Sequence, residues 1–128
     1  MPIGVTIMVV DDSRIMRNTV KGVFTSVETP CNFIEAKDGE EALALLDAQS
    51  VDLILLDWNM PRLSGIDFLK QIRAMELYRD LPIIMVTSEA SKINVIEALK
   101  NGATDYITKP IKLDLFKSKL AKLRLFRI

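Results

Sequence analysis

Apolar residues gather into short continuous runs, separated by longer stretches in which they recur every three or four positions. The runs lie at residues 5–10, 51–56 and 83–86, with weaker ones at Phe33-Ile34 and Tyr106-Ile107. Continuous Val/Ile/Leu runs without polar alternation suit strands buried on both faces of a parallel sheet. Pro82 is read as the first residue of the fourth strand, a position that tolerates proline. The stretches between them read as helices. Ile15, Met16, Val20, Val23 and Phe24 form one stripe behind an N-cap at Ser13. Residues 40–46 carry Ala42, Leu43, Leu45 and Leu46, and residues 66–75 carry Ile66, Leu69, Ile72 and Met75. Residues 93–99 carry Ile93, Ile96 and Leu99 and stop at Asn101-Gly102, a usual helix ending. Leu113, Phe116, Leu120 and Leu123 mark the last helix. Five strands alternating with five helices predict an α/β fold, a doubly wound parallel sheet of (βα)5 type. Residues 1–128 contain no repeat, low-complexity stretch or linker and read as a single domain.

Composition narrows the chemistry. With 49% hydrophobic and 27% charged residues, a chain of 128 residues can fill a core. Seventeen acidic residues balance seventeen basic ones, which argues against a general nucleic-acid coat. The chain has no histidine, which removes Ser-His-Asp and Cys-His catalysis, His-ligated zinc and a phosphohistidine carrier role. One cysteine, Cys31, cannot form an internal disulfide and is expected as a passive core residue beside Phe33. Met1-Pro2-Ile3-Gly4 shows no leader pattern and no apolar run is long enough to span a membrane, so a cytoplasmic domain is expected. Charge is uneven: residues 1–60 hold ten acids and four bases, while residues 109–128 hold seven bases and one acid. That basic end reads either as the solvated face of an amphipathic helix or as a docking surface for an acidic partner.

The informative positions follow the strands. The first run ends in Asp11-Asp12, the third in Asp57, the fourth in Thr87-Ser88 and the fifth in Thr108-Lys109-Pro110. In a parallel sheet these ends share one edge, where open α/β sheets place their sites. Like charges about 4 Å apart repel by about 4 kcal/mol at an effective dielectric near 20. Three carboxylates and one lysine therefore call for a divalent cation, and an all-oxygen donor set favours Mg²⁺ over zinc or copper. Carboxylates, a metal, a lysine and a hydroxyl suit phosphoryl transfer: one carboxylate attacks, the cations absorb oxygen charge and Thr87 donates a hydrogen bond.

The same residues resemble response-regulator receiver domains, above all the stand-alone chemotaxis regulators among them. The matching text is Val9-Val10-Asp11-Asp12-Ser13, then Asp57-Trp58-Asn59-Met60-Pro61 with Gly65, then Val86-Thr87-Ser88-Glu89-Ala90. It continues as Gly102-Ala103-Thr104-Asp105-Tyr106-Ile107-Thr108-Lys109-Pro110, with Asp38-Gly39 and Ala42 also fitting. The resemblance implies the flavodoxin-like strand order 2-1-3-4-5. It implies that Asp57 is phosphorylated by a histidine kinase, with Mg²⁺ on Asp12, Asp57 and the backbone carbonyl of Asn59, and on Asp11 through water. It further implies that Lys109 and Thr87 contact the phosphoryl oxygens, that Lys109–Pro110 is cis, and that Asn59 and Glu89 accompany rapid loss of the phosphoryl group. Tyr106 resembles the family's switch aromatic, which rotates inward on activation; otherwise it is a half-buried strand tyrosine.

With 18 residues after Pro110, output is expected through binding to a separate protein rather than through an attached module. The expected route runs from Thr87 and Tyr106 to the face of the fourth helix, fifth strand and fifth helix, where Lys117, Lys119 and Lys122 would meet an acidic or amphipathic partner. By resemblance that partner is the flagellar motor switch, with a phosphatase as a second one; the protein would be a monomer and not a turnover enzyme. A phosphorelay or non-motility receiver is the alternative. A haloacid-dehalogenase type phosphatase would carry an acid/base Asp where Asn59 stands, and a flavodoxin-like FMN carrier would need a Ser/Thr/Gly-rich loop in place of Asp11-Asp12. Trp58 and Met60 read equally as partner contacts or as loop residues packed on the next helix. The six methionines need no special role.

Overall fold

The computed structural model describes residues 4–127. The leader reading falls largely on residues 1–3, which lie outside the described residues, as does residue 128. Five parallel strands form one sheet: β1 (Val5–Val10), β2 (Cys31–Ala36), β3 (Leu53–Leu56), β4 (Ile83–Thr87) and β5 (Asp105–Thr108). Their order is 2-1-3-4-5. Helices follow each strand: α1 (Arg14–Gly22), α2 (Gly39–Ala48), α3 (Gly65–Arg73), α4 (Lys92–Lys100) and α5 (Leu113–Lys122).

Alternate strand positions face opposite sides of the sheet. Met8, Val10, Ile54, Leu56 and Met85 meet Leu46, Phe68, Leu69, Ile72 and Ala98 from α2, α3 and α4. Ile7, Val9, Leu53, Leu55, Ile84 and Val86 meet Val20, Phe24, Phe116 and Leu120 on the α1 and α5 side. Phe24 joins that second layer together, with ring centroids 5.6 Å from Phe33, 6.1 Å from Phe116 and 5.5 Å from Phe126. Beyond α5 the chain turns through Arg124, at φ 60°, and returns to the start of β2. There the Glu28 amide donates to the Arg127 carbonyl at 2.9 Å, and the Arg127 amide donates to Thr29 Oγ1 at 2.7 Å. Among the described residues, no helix is long and apolar enough to cross a membrane.

Helix starts follow their caps. Ser13, Asp38, Ser64 and Ser91 each accept from a backbone amide three residues on. Several element limits differ from the sequence reading. β3 begins at Leu53 and not residue 51, because Asp52 turns its carboxylate onto the Thr6 amide at 2.8 Å. Pro82 lies just before β4 rather than within it; its carbonyl accepts from the Ile54 amide, but it has no N–H to offer. β2 is six residues long, not two, because it pairs with β1 over its whole length. The first stripe divides into α1 and a 3-10 turn at Val23–Ser26. α3 stops at Arg73, leaving Met75 exposed in the connection to β4.

Not every apolar stripe read from the sequence faces the core. Ile15 is 78% exposed, and the Ile93, Ile96 and Leu99 stripe faces outward, with Ile93 77% exposed. The side of α4 turned to the sheet is carried by buried Ala98 and half-buried Val95. Leu113 likewise stays exposed at the start of α5. Cys31 is half-buried against the α1/α5 layer, and its Sγ donates to the Thr29 carbonyl at 3.3 Å.

Candidate functional site

Strands β1 and β3 are neighbours, but the chain leaves β1 toward β2 and β3 toward β4. The helices therefore diverge and open a crevice at the carboxyl edge. Main-chain bonds that extend the ladders fix what stands there. The Asp57 amide donates to the Val10 carbonyl at 2.9 Å, Asp11 to Ala36 at 3.0 Å, and Lys109 to Thr87 at 2.9 Å. Ser13 N–H donates to Asp11 Oδ1 at 2.9 Å, and Trp58 N–H to Asp57 Oδ1 at 2.8 Å. The Lys109–Pro110 peptide is cis.

Asp11, Asp12 and Asp57 bring carboxylate oxygens within 4.8 Å of one another. Asp11 and Asp57 are buried and Asp12 is exposed. Lys109 Nζ lies 2.9 Å from Asp11 Oδ2 and 3.5 Å from Asp57 Oδ2. Burial pushes the Asp57 carboxyl above its ordinary value; a hydrogen bond from Thr87 opposes this, the Asp11 charge adds to it, and Lys109 and the Trp58 amide oppose it. The cluster thus holds more negative charge than Lys109 offsets. A hard divalent cation fits the donor set, all of it oxygen, with Asp12 open to solvent as an entry.

That charge excess sets a pH-dependent prediction. A carboxyl whose folded-state pKa is raised contributes stability at low pH that is lost as pH rises through the raised value. In EDTA, Asp57→Asn should therefore be more stable than the wild type at neutral pH by about 1–3 kcal/mol, the scale of relieving a buried and incompletely compensated charge. The advantage should vanish below the ordinary carboxylate range, near pH 4. Urea midpoints measured across pH test this; an advantage that persists at low pH would contradict it.

Glu89, after β4, ties the site to its surroundings. Asn59 Nδ2 donates to Glu89 Oε1 at 2.6 Å, and the Glu89 amide donates to Thr87 Oγ1 at 3.2 Å. Tyr106 is buried with its hydroxyl donating to the Glu89 carbonyl. It is buried rather than half-buried, with its hydroxyl turned inward. Burial, Glu89 and Asp57 push its hydroxyl up to about 12, so it stays a donor throughout the neutral range. Thr87 is fully buried. Lys119, grouped above with the partner-facing bases, is engaged within the fold: its Nζ donates to Asp105 Oδ1 and to the Tyr106 carbonyl, both at 2.8 Å. Lys122 is exposed and Lys117 half-exposed. Trp58 and Met60 are half-buried against the α2–α4 layer, which favours the packed reading of both.

Three contributors escaped the sequence. Arg17 Nη1 donates to the Asp11 carbonyl at 2.7 Å while Nε reaches Glu35 at 3.0 Å, bracing the turn that carries both aspartates. Arg62, at φ 69°, stands 3.5 Å from the buried Asp38 and shares a cavity of about 390 Å³ with Asp12, Lys37, Asp38 and Pro61. Asn94 of α4 donates through Nδ2 to Glu89 Oε2 at 3.2 Å. None had a local signal, since each depends on a partner brought close only by folding. Gly65 was visible as part of a motif, and its reason is steric: a Cβ there would stand 1.9 Å from the Asp57 carbonyl oxygen.

A family model described as the response regulator receiver domain matches residues 7–121. A chemotaxis protein CheY homolog of Campylobacter jejuni is 43% identical over 115 residues, covering 89% of this chain and 88% of that protein. Chemotaxis protein CheY-3 of Vibrio cholerae is 42% identical over 117 residues, covering 91% and 89%. Among solved structures, the Vibrio cholerae chemotaxis protein CheY4 aligns with a TM-score of 0.83 at 31% identity, over 94% of this chain and 98% of that one. The Francisella response regulator 1452 receiver domain aligns at 0.81 and 34%, over 94% and 96%.

Proposed function

The chain belongs to the response regulator receiver domain family, and on that premise we propose that it is a single-domain phosphorylation switch whose Asp57 accepts a phosphoryl group from a histidine kinase. The carrying observation is the burial of Asp57 at the β1/β3 crevice, with Lys109 3.5 Å away and Thr87 in hydrogen-bonding reach. The Asp57 carboxylate attacks phosphorus, an O–P bond forms, and the bond to the donor nitrogen breaks with its electron pair leaving on the donor. Lys109 meets the growing oxygen charge and the Thr87 hydroxyl donates to a phosphoryl oxygen. Asp12, Asp57, the Asn59 carbonyl and, through water, Asp11 would hold Mg²⁺, which supplies charge neutralisation to the phosphoryl oxygens.

Output is a change in binding to a separate protein, consistent with relatives that share nine-tenths of their length with this chain. The outward Ile93, Ile96 and Leu99 stripe on α4 supplies an apolar contact, and Lys122 on α5 a basic one. The likeness to chemotaxis proteins supports the flagellar motor switch as the proposed partner, with a phosphatase as the second, in a cytoplasmic setting. A phosphoramidate with Mg²⁺ should add one acid-labile phosphoryl group, located at Asp57 by peptide mass spectrometry. Trp58, next to the acceptor, should report it by fluorescence. Equal labelling of Asp57→Asn, or labelling indifferent to EDTA, would sink the assignment.

A further inference from the structure

The Glu89 carboxylate receives one amide on each oxygen: Asn59 Nδ2 at Oε1, 2.6 Å away, and Asn94 Nδ2 at Oε2, 3.2 Å away. A carboxylate accepts and does not donate, so chemistry fixes both amides with nitrogen toward Glu89. The carbonyl oxygen Oδ1 of Asn59 is thereby the end left for other work. The Glu89 main chain is held on both sides, its N–H on Thr87 Oγ1 and its carbonyl under the Tyr106 hydroxyl. The side chain is held by the two amides, and Asn94 supplies the one from α4. Asn94 is itself placed by a 3.2 Å bond from its amide to the Ser91 hydroxyl that starts the helix.

We propose that Asn94 is a positioning residue that sets how long a phosphoryl group survives on Asp57. The inference rests on the phosphoacceptor reading above. In hydrolysis a water oxygen attacks phosphorus, the P–O bond to Asp57 breaks, and its electron pair returns to the carboxylate. The water's proton leaves with the inorganic phosphate. Asn59 Oδ1, two residues from Asp57, can accept a hydrogen from that water and orient it only while the amide keeps the direction Glu89 imposes. Glu89 keeps its grip on Asn59 while Asn94 occupies its other oxygen. Without Asn94 the carboxylate gains rotamer freedom, and the Asn59 amide spends less time in the useful orientation. Because Asn94 stands one residue from Ile93, the same contact links phosphoryl lifetime to the α4 face.

The test follows Trp58 fluorescence after the full chain is loaded with phosphoramidate and Mg²⁺ and the donor is then diluted out. Asn94→Ala should slow the decay about three- to tenfold, the scale of one lost hydrogen bond. Asn94→Gln, which keeps an amide donor, should recover most of the wild-type rate. In a Glu89→Ala background, Asn94→Ala should change nothing further, because its route is gone; a merely structural role would persist there. Wild-type decay in Asn94→Ala overturns the inference, as does equal slowing in both backgrounds. A wild type that takes up no phosphoryl group overturns the phosphoacceptor reading as well, whereas a labelled wild type with an unaltered Asn94→Ala removes this inference alone.

Discussion

Lys109→Met should cost the metal-free protein about 3 kcal/mol at neutral pH, the scale of removing one partner from a buried ion pair. The substitution keeps most of the stem and removes the ammonium that sits 2.9 Å from Asp11 and 3.5 Å from Asp57. Three carboxylates then face one another within 4.8 Å without that cation. Two conditions should recover the loss. Acid should do so first through Asp57, whose burial already holds its carboxyl above the ordinary range. Millimolar Mg²⁺ should do so at neutral pH by replacing the missing charge. Combining the change with Asp57→Asn should cost less than the two separate effects imply, because the charges that repel are then fewer. Chemical denaturation in EDTA and in Mg²⁺ measures all of this. A Lys109→Met deficit that is the same in both would show that the lysine serves packing rather than charge.

Gly65→Ala should be nearly as damaging for a different reason. The added Cβ would lie 1.9 Å from the Asp57 carbonyl oxygen and 2.9 Å from the Trp58 Cα, both backbone atoms. The Gly65 amide also donates to the Trp58 carbonyl at 2.8 Å, so the two segments cannot separate without losing that bond. The start of α3 must therefore move away or the Asp57–Trp58 peptide must be displaced. Overpacking of this severity is expected to cost about 3 kcal/mol, at the upper end of its usual range. Mg²⁺ titration followed by Trp58 fluorescence should show at least tenfold weaker binding, about the 1.4 kcal/mol that a strained carboxylate would forfeit. Native stability together with native Mg²⁺ affinity would show that the loop yields more easily than its contacts indicate.

Much of this was legible before folding because the chemistry sits at strand ends. The continuous runs located β1, β3 and β4 closely, and the residues after them are the ones the sheet gathers at its carboxyl edge. The order of strands came with the family motifs, since periodicity does not encode order. Where the reading failed, it treated every apolar stripe as seeking the core. On α4 the sheet-facing side is built from Ala98 and Val95, and the larger Ile93, Ile96 and Leu99 face away. Helical spacing alone cannot tell which of two sides a sheet will claim. Lys119 misled in the opposite sense: a base in a basic stretch reads as solvated, yet Asp105 and the Tyr106 carbonyl hold it. Asn59 and Glu89 both stood in the family motifs, but that they bond to each other, and that Asn94 holds the other Glu89 oxygen, has no sequence signature.

The returning segment after α5 bears on where this protein can be cut or joined to another. Phe126 is tilted against Phe24, and Leu123 and Leu125 pack on the same layer. The Arg127 backbone is pinned at both its N–H and its carbonyl. A graft designed to end at Lys122, where regular helix stops, would strip three apolar side chains from the layer around Phe24. A reporter or tether attached there would compete with residues 28 and 29 for the same main chain. A spacer begun only beyond residue 127 would leave that layer closed, and would place the attached module on the α1/α5 side, away from the outward stripe of α4.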